Sequence, residues 1–162
     1  MSGSQIATAL IVLLTPVATQ AQITLSSVAP GCYQVNMGAW SGSFPSGMPE
    51  GHQPPPLIQL DTTRMPGIRA PLELFRVTPN IPSLERYRIV PPYWTTTQVG
   101  DTIMISWSSG FMGTTLVLTR NAEGFAGQAR AFYDVIGPVQ PRAEVTLVRR
   151  SCGGVTFGTA NY

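Results

Sequence analysis

The two cysteines of the chain lie far apart, one near each edge of the part with a folded composition. Cys32 lies in the first segment of alternating apolar and polar residues, and Cys152 ends the last one. Both cysteines fall in the polar phase of their segments. A disulfide between them would join the first strand to the last, and neighbouring first and last strands are what closes a barrel. We therefore predict a Cys32–Cys152 disulfide on the outside of a barrel.

The two segments that carry the cysteines have the period of half-buried strands. In the first, Tyr33, Val35 and Met37 share one face. In the last, Val145 and Leu147 share the face opposite to Cys152. Each segment therefore places its apolar face inward and its cysteine outward.

The rest of the chain also has the composition of short strands separated by turns. Gly 16 and Pro 15 are too many for a helix-rich fold, and β-branched and aromatic residues recur between them. We predict an all-β fold, a single antiparallel and mostly up-and-down barrel of about eight strands. Between the first and last strands, the predicted segments are 57–63, 72–78, 85–90 with 93–98 as its extension, the hairpin 101–120, and 125–133.

The N-terminal segment has the features of an export signal. Residues 6–18 are apolar and uncharged but shorter than the roughly 20 residues of a membrane-spanning helix. Small residues at Thr19 and Ala21 suit cleavage after Ala21. We predict a signal peptide at 1–21, with an uncleaved anchor as the alternative, and one barrel domain at 22–162. The protein is then exported, periplasmic or extracellular, or associated with a membrane, where disulfides persist.

Residues 40–56 form the longest stretch without a strand or helix period, and five of them are prolines. Loops of this length are usually functional or disordered. We expect this loop to cover or flank the open end of the barrel and to contribute little to folding.

A resemblance to a known family follows from these features. Gly31-Cys32-Tyr33 at the start of the first strand, a long first loop, a series of antiparallel hairpins and a terminal cysteine resemble an exported, lipocalin-like (calycin-type) small barrel. The resemblance is architectural. It implies a barrel with room for one small apolar ligand.

Several kinds of chemistry are not favoured by the residues present. A net charge of +2 with 11% charged residues gives no dense basic face for nucleic acid. One histidine, His52, and two paired cysteines do not make a zinc site or a catalytic triad. We expect no cofactor, no metal and no enzymatic activity, with a hydrolase of unfamiliar type as the least favoured alternative.

Aromatic residues near strand ends are the remaining candidates for recognition, because they combine an apolar body with a polar group. We predict that this non-enzymatic barrel binds a small apolar or amphipathic molecule, a lipid or a partner at its open end. The alternative is an accessory subunit, with a solid core, docked on an envelope membrane protein complex. The predicted binding residues are Trp40, Phe44, Tyr93, Trp94, Trp107 and Phe111.

Overall fold

The computed structural model describes residues 29–42, 44, 53–65, 73–81, 84, 90–97, 101–134 and 140–153. These residues form eight strands. In chain order they are β1 (Gly31–Met37), β2 (Leu57–Arg64), β3 (Phe75–Thr78), β4 (Tyr93–Thr96), β5 (Thr102–Ser108), β6 (Met112–Arg120), β7 (Gly124–Tyr133) and β8 (Arg142–Arg150). The predicted signal segment at 1–21 lies outside the described residues, so the predicted domain limits stay predictions.

Each strand pairs with the next one in the chain, and β8 pairs with β1 to close a barrel. All of the pairings are antiparallel. The prediction of an all-β, up-and-down barrel is therefore confirmed. This architecture is consistent with a lipocalin-like one.

The predicted disulfide is present and lies where the barrel closes. Cys32 and Cys152 are bonded, with their Cα atoms 5.3 Å apart, across 120 residues of chain. Cys32 pairs in register with Arg150 at the end of β8, and Cys152 follows just beyond that strand. The Cys32 side chain is buried although it lies in the outward phase of β1, whereas Cys152 is exposed. A disulfide is compatible with an exported protein.

The inside of the barrel is filled with side chains. A hollow of ligand size would leave accessible surface on the residues that line it, yet each inward residue named below is at most 2% exposed. Protein interiors are close-packed in this way when side chains interdigitate. These residues are Tyr33, Ile58, Leu60, Val77, Trp94, Ile103, Ile105, Trp107, Leu116, Leu118, Phe125, Ala129, Ala131, Val145 and Leu147.

Small residues on β7 allow this close packing. Gly127 shares the inward phase with Ala129, and a Cβ at Gly127 would lie 2.2 Å from the carbonyl oxygen of Val117 on β6. Small residues on an inward face can leave empty space or permit close approach of the strands. The structure shows close approach.

The fourth strand differs from its prediction. The sequence pattern predicts a strand at 85–90, but β4 begins only at Tyr93, and Val90 is outside any strand. Residues 85–89 lie outside the described part. Pro91 and Pro92 have no N–H to donate to a ladder, so regular pairing starts after them. Before them, Leu84 has helical backbone, its N–H donates to the Ile81 carbonyl, and both side chains are buried.

The first residues of the long loop continue the barrel wall. The N–H of Ser41 donates to the Arg142 carbonyl at 2.7 Å, and the N–H of Arg142 donates back at 3.0 Å. Between this pair and the pair Met37–Val145, the β1 side has one residue more than β8, as in a β-bulge. The loop therefore begins as an irregular extension of β1.

Candidate functional site

The two ends of the barrel differ in chemistry. We call the end at which β1, β3, β5 and β7 finish the aromatic end, and the opposite one the disulfide end. Within the described residues, the loops at the aromatic end carry one charged side chain, Asp134, and the strand segments next to them carry Arg76, Arg130, Arg142 and Glu144. The disulfide end carries more charged side chains. These are Asp61, Arg64, Glu73, Asp101, Arg120, Glu123, Arg149 and Arg150.

Three aromatic rings meet at the aromatic end. Trp40 contacts Phe44 edge to face, with ring centroids 5.4 Å apart and planes at 89°. Phe44 contacts Tyr133 in the same manner at 6.4 Å. Trp40 also packs against the core, and its indole Nε1 is buried without a hydrogen-bond acceptor in the described part of the chain. Burial raises the pKa of Tyr133. The structure thus brings together two predicted site residues, Trp40 and Phe44.

Phe111 is the most exposed large apolar side chain of the described residues, with 61% of its surface accessible. It lies in the turn between β5 and β6, at the aromatic end. The turn is held by several hydrogen bonds: the N–H of Gly110 donates to Ser108 Oγ, and the N–H of Ser109 donates to the Met112 carbonyl, both at 2.9 Å. The positive φ of 95° at Gly110 also suits glycine.

A further contact fixes the Phe111 backbone to β7. The N–H of Asp134 donates to the Phe111 carbonyl at 2.7 Å. The buried hydroxyl of Ser109 lies 3.2 Å from both the N–H and the carbonyl of Met112. The exposed phenyl ring is therefore presented on a turn whose backbone is bonded on both sides.

Two other predicted site residues are fully buried inside the barrel. The indole Nε1 of Trp94 donates to the Asp61 carbonyl at 2.9 Å, and its ring stacks on Phe75. The indole Nε1 of Trp107 donates to the Pro79 carbonyl at 3.1 Å. The binding role predicted for these two residues stays a prediction, but burial leaves them no surface with which to contact a partner.

Tyr93 is half-buried on the outward phase of β4, opposite Arg76 and Ser106. It lies at the aromatic end of its strand. Trp40, Phe44, Tyr93 and Phe111 therefore lie on or near one end of the barrel, and Trp94 and Trp107 lie inside it.

Two arginines near this end were not singled out by sequence reasoning. Arg130 on β7 lies directly opposite Arg142 on β8, and both are exposed. Neither guanidinium makes an ion pair or a hydrogen bond to the described part of the chain. Like charges directly opposite each other destabilise a sheet. Their pairing depends on strand register, which alternation alone could not show.

A shallow hollow of about 350 Å³ lies on the outer surface across β1, β8 and β7. Its lining includes Asn36, Gly38, Ala126, Glu144 and Thr146. Glu144 accepts a hydrogen bond from Gln128 Nε2 at 3.2 Å. The hollow is open to solvent, and Met37, Gly127 and Val145 also line it.

Two further features bear on chemistry. The described residues contain no group of three or more His, Cys, Asp or Glu side chains placed to hold a metal ion. Within the same residues there is no helix long and apolar enough to cross a membrane. His52 lies outside the described residues.

Comparisons with models of protein families, with curated proteins and with solved structures found no match. Function must therefore follow from the chemistry of this chain's own residues.

Proposed function

We propose that this protein is a non-enzymatic, exported binding protein that docks a partner through its aromatic end. The observation that carries the proposal is Phe111, which is 61% exposed on a turn bonded on both sides. Apolar anchors of this kind contribute most when they are held rigidly before binding, because little conformational entropy is then lost.

The packed interior supports docking over binding inside the barrel. A lipocalin-like site needs an internal cavity, typically about 300 Å³ or more. Most inward residues retain almost no accessible surface, and Val35, Met37 and Tyr133, on the inward phase near the aromatic end, are half-buried. Of the two non-enzymatic functions considered from sequence, an accessory subunit with a solid core agrees better with this packing than a carrier of an internal ligand.

The location proposed for this function is the periplasm or the extracellular space, close to a membrane. The disulfide supports an oxidising compartment. The apolar segment 6–18 supports export.

The test is retention of a partner from native membranes by three forms of the full chain: wild type, Phe111→Ser and Arg120→Gln. Arg120 is exposed at the disulfide end and serves as the matched control. We expect wild type and Arg120→Gln to retain the same proteins and lipids, identified by mass spectrometry. Phe111→Ser should lose them while melting at the same temperature. Equal retention by all three forms would refute docking through this end.

A further inference from the structure

We infer that the partner of the aromatic end is the surface of an anionic lipid bilayer. In this arrangement Phe111 enters the interfacial region, and Arg130 and Arg142 contact lipid phosphates. The inference rests on the proposed function and names the class of partner for the same end of the barrel.

The two arginines provide the first argument. An exposed pair of like charges on neighbouring strands is unfavourable without an anion, and neither side chain has a partner in the described residues. Arginine binds phosphate through its planar, multi-donor guanidinium. An anionic surface in front of β7 and β8 would remove this repulsion.

The height of the arginines relative to Phe111 provides the second argument. Arg130 is in register with Thr115 on β6, and β6 begins at Met112, next to Phe111. At a rise of about 3.3 Å per residue, the four residue steps from Thr115 to Phe111 span roughly 13 Å along the strand, and a strand tilt of about 40° reduces this to roughly 10 Å along the barrel axis. Apolar groups of interfacial proteins lie roughly 5–10 Å below the headgroup boundary. Phosphate contact and ring insertion are therefore compatible in one orientation.

The backbone of this end provides the third argument. Pro55, Pro56, Pro79 and Pro91 lie in its loops and keep accessible surface. A proline has no N–H, so these positions do not lose a water-bonded donor when they approach an apolar phase. The charged disulfide end then faces away from the bilayer.

A convex, single-ring anchor suits a deformable surface better than a preformed protein pocket. Phe111 projects from a turn, and Trp40 and Tyr133 at the same end of the barrel are half-buried. A lipid surface adapts to such a projection, and half-buried tryptophan and tyrosine are typical of the membrane interface.

Two carboxylates in the same sector oppose binding. Asp134 is exposed at the rim, and Glu144 lies on the outer face of β8. Removing the rim charge should strengthen attachment to an anionic surface. We expect Asp134→Asn to bind such vesicles severalfold more tightly.

The experiment measures co-sedimentation of the full chain, as processed by the exporting cell, with two kinds of vesicle. One contains equal parts of phosphatidylglycerol and phosphatidylethanolamine, and the other contains phosphatidylcholine alone.

We expect wild type to bind the anionic vesicles. Phe111→Ser should weaken binding roughly tenfold or more. The double variant Arg130→Gln/Arg142→Gln should weaken it about tenfold or more and remove most of its salt dependence. Arg120→Gln is the control and should show less than half of the loss of vesicle binding expected for the double variant.

A second measurement reports depth at the proposed anchor. In Phe111→Trp, lipids brominated on their acyl chains should quench the new indole upon vesicle binding. Trp94 and Trp107 are buried and should not be quenched. Trp40 is half-buried at the same end, so wild type gives the baseline above which the quenching of the new indole is measured.

The outcomes separate this inference from the proposed function. Equal binding of wild type and Phe111→Ser to anionic vesicles, or no quenching of the Phe111→Trp indole, overturns the bilayer proposal. If Phe111→Ser nevertheless loses a partner from native membranes, the partner is a protein and the proposed function stands. If Phe111→Ser loses no partner from native membranes, both the bilayer proposal and the proposed function are refuted.

Discussion

At the residue scale, the buried phenol of Tyr33 helps to hold one end of the barrel closed. At the disulfide end, the buried hydroxyl of Tyr33 donates to the Ala29 carbonyl at 2.7 Å. Burial raises the pKa of Tyr33, and the positive charges of Arg149 and Arg120 oppose this increase without cancelling it. The fold therefore favours the neutral phenol.

The Tyr33 phenol makes stability depend on alkaline pH. Since its pKa is higher in the folded than in the unfolded chain, its contribution is complete below about pH 10 and is lost as the pH rises through the folded pKa. Tyr33→Phe should lower the free energy of unfolding by about 1 kcal/mol at neutral pH, because the hydrogen bond is lost. It should also make the alkaline decrease in melting temperature shallower. An equally steep alkaline decrease in the variant would contradict this assignment.

Gly113 and Gly38 differ in the space that each leaves for a Cβ atom, so alanine substitutions at the two positions can be compared. A Cβ at Gly113 would lie 2.2 Å from the Trp107 carbonyl oxygen and 2.7 Å from the Phe132 ring. At Gly38 the nearest atom would be 3.6 Å away, an ordinary contact. Gly113→Ala should destabilise the barrel by about 1–3 kcal/mol, and Gly38→Ala by much less. Chemical denaturation measures both, and equal effects would show that the close contact at Gly113 is relieved at no cost.

At the scale of elements, the long first loop has two parts with different expected roles. Its start belongs to the barrel wall, because Ser41 pairs with Arg142 and Trp40 packs against the core. Residues 45–52 lie outside the described part, and longer loops add closure entropy only slowly. The irregular, proline-rich composition of 40–56 predicted a single segment that contributes little to folding.

Replacing parts of this loop tests the division. A short Gly-Ser linker in place of 45–52 should leave the melting temperature nearly unchanged, whereas Trp40→Ala should destabilise the barrel by roughly 2 kcal/mol. Thermal unfolding monitored by circular dichroism measures both variants. Failure of the linker variant to fold would show that 45–52 is structural. An unchanged melting temperature in Trp40→Ala would show that the wall does not need the indole.

At the scale of the whole molecule, two kinds of interaction hold the barrel closed, a hydrogen-bonded ladder and a disulfide. The strands β1 and β8 are joined by a ladder from Cys32–Arg150 to Met37–Val145, and the disulfide joins the same two ends covalently. The ladder acts in the folded state. The disulfide acts mainly on the unfolded chain, whose freedom it restricts.

Removal of the disulfide should therefore weaken the barrel without opening it. For a loop of this length the chain-entropy model gives about 5 kcal/mol, and we expect a loss of a few kcal/mol in Cys32→Ser/Cys152→Ser. Urea unfolding compares the variant with wild type, and far-ultraviolet circular dichroism checks that the strands persist. Loss of strand signal in the variant, or two free thiols in the exported wild type, would contradict this role.

Local sequence patterns predict much of this fold. Alternation in β1 and β8 assigned Tyr33 and Leu147 to the inside and both cysteines to the outside, since a strand turns successive side chains to opposite faces. The same period predicted the β5–β6 hairpin. These features depend on neighbours in the chain, so the sequence alone determined the barrel and its disulfide.

Tertiary structure alone decided the candidate site. Phe111 and Trp107 have similar sequence surroundings, yet one ring is exposed and the other is buried, because only Trp107 lies on the inward phase where the barrel must be filled. The opposition of Arg130 and Arg142 is set by the register between β7 and β8. Whether the barrel is hollow depends on how side chains from eight strands share one volume. Packing density and strand register are properties of segments distant in the chain, and no local pattern encodes them.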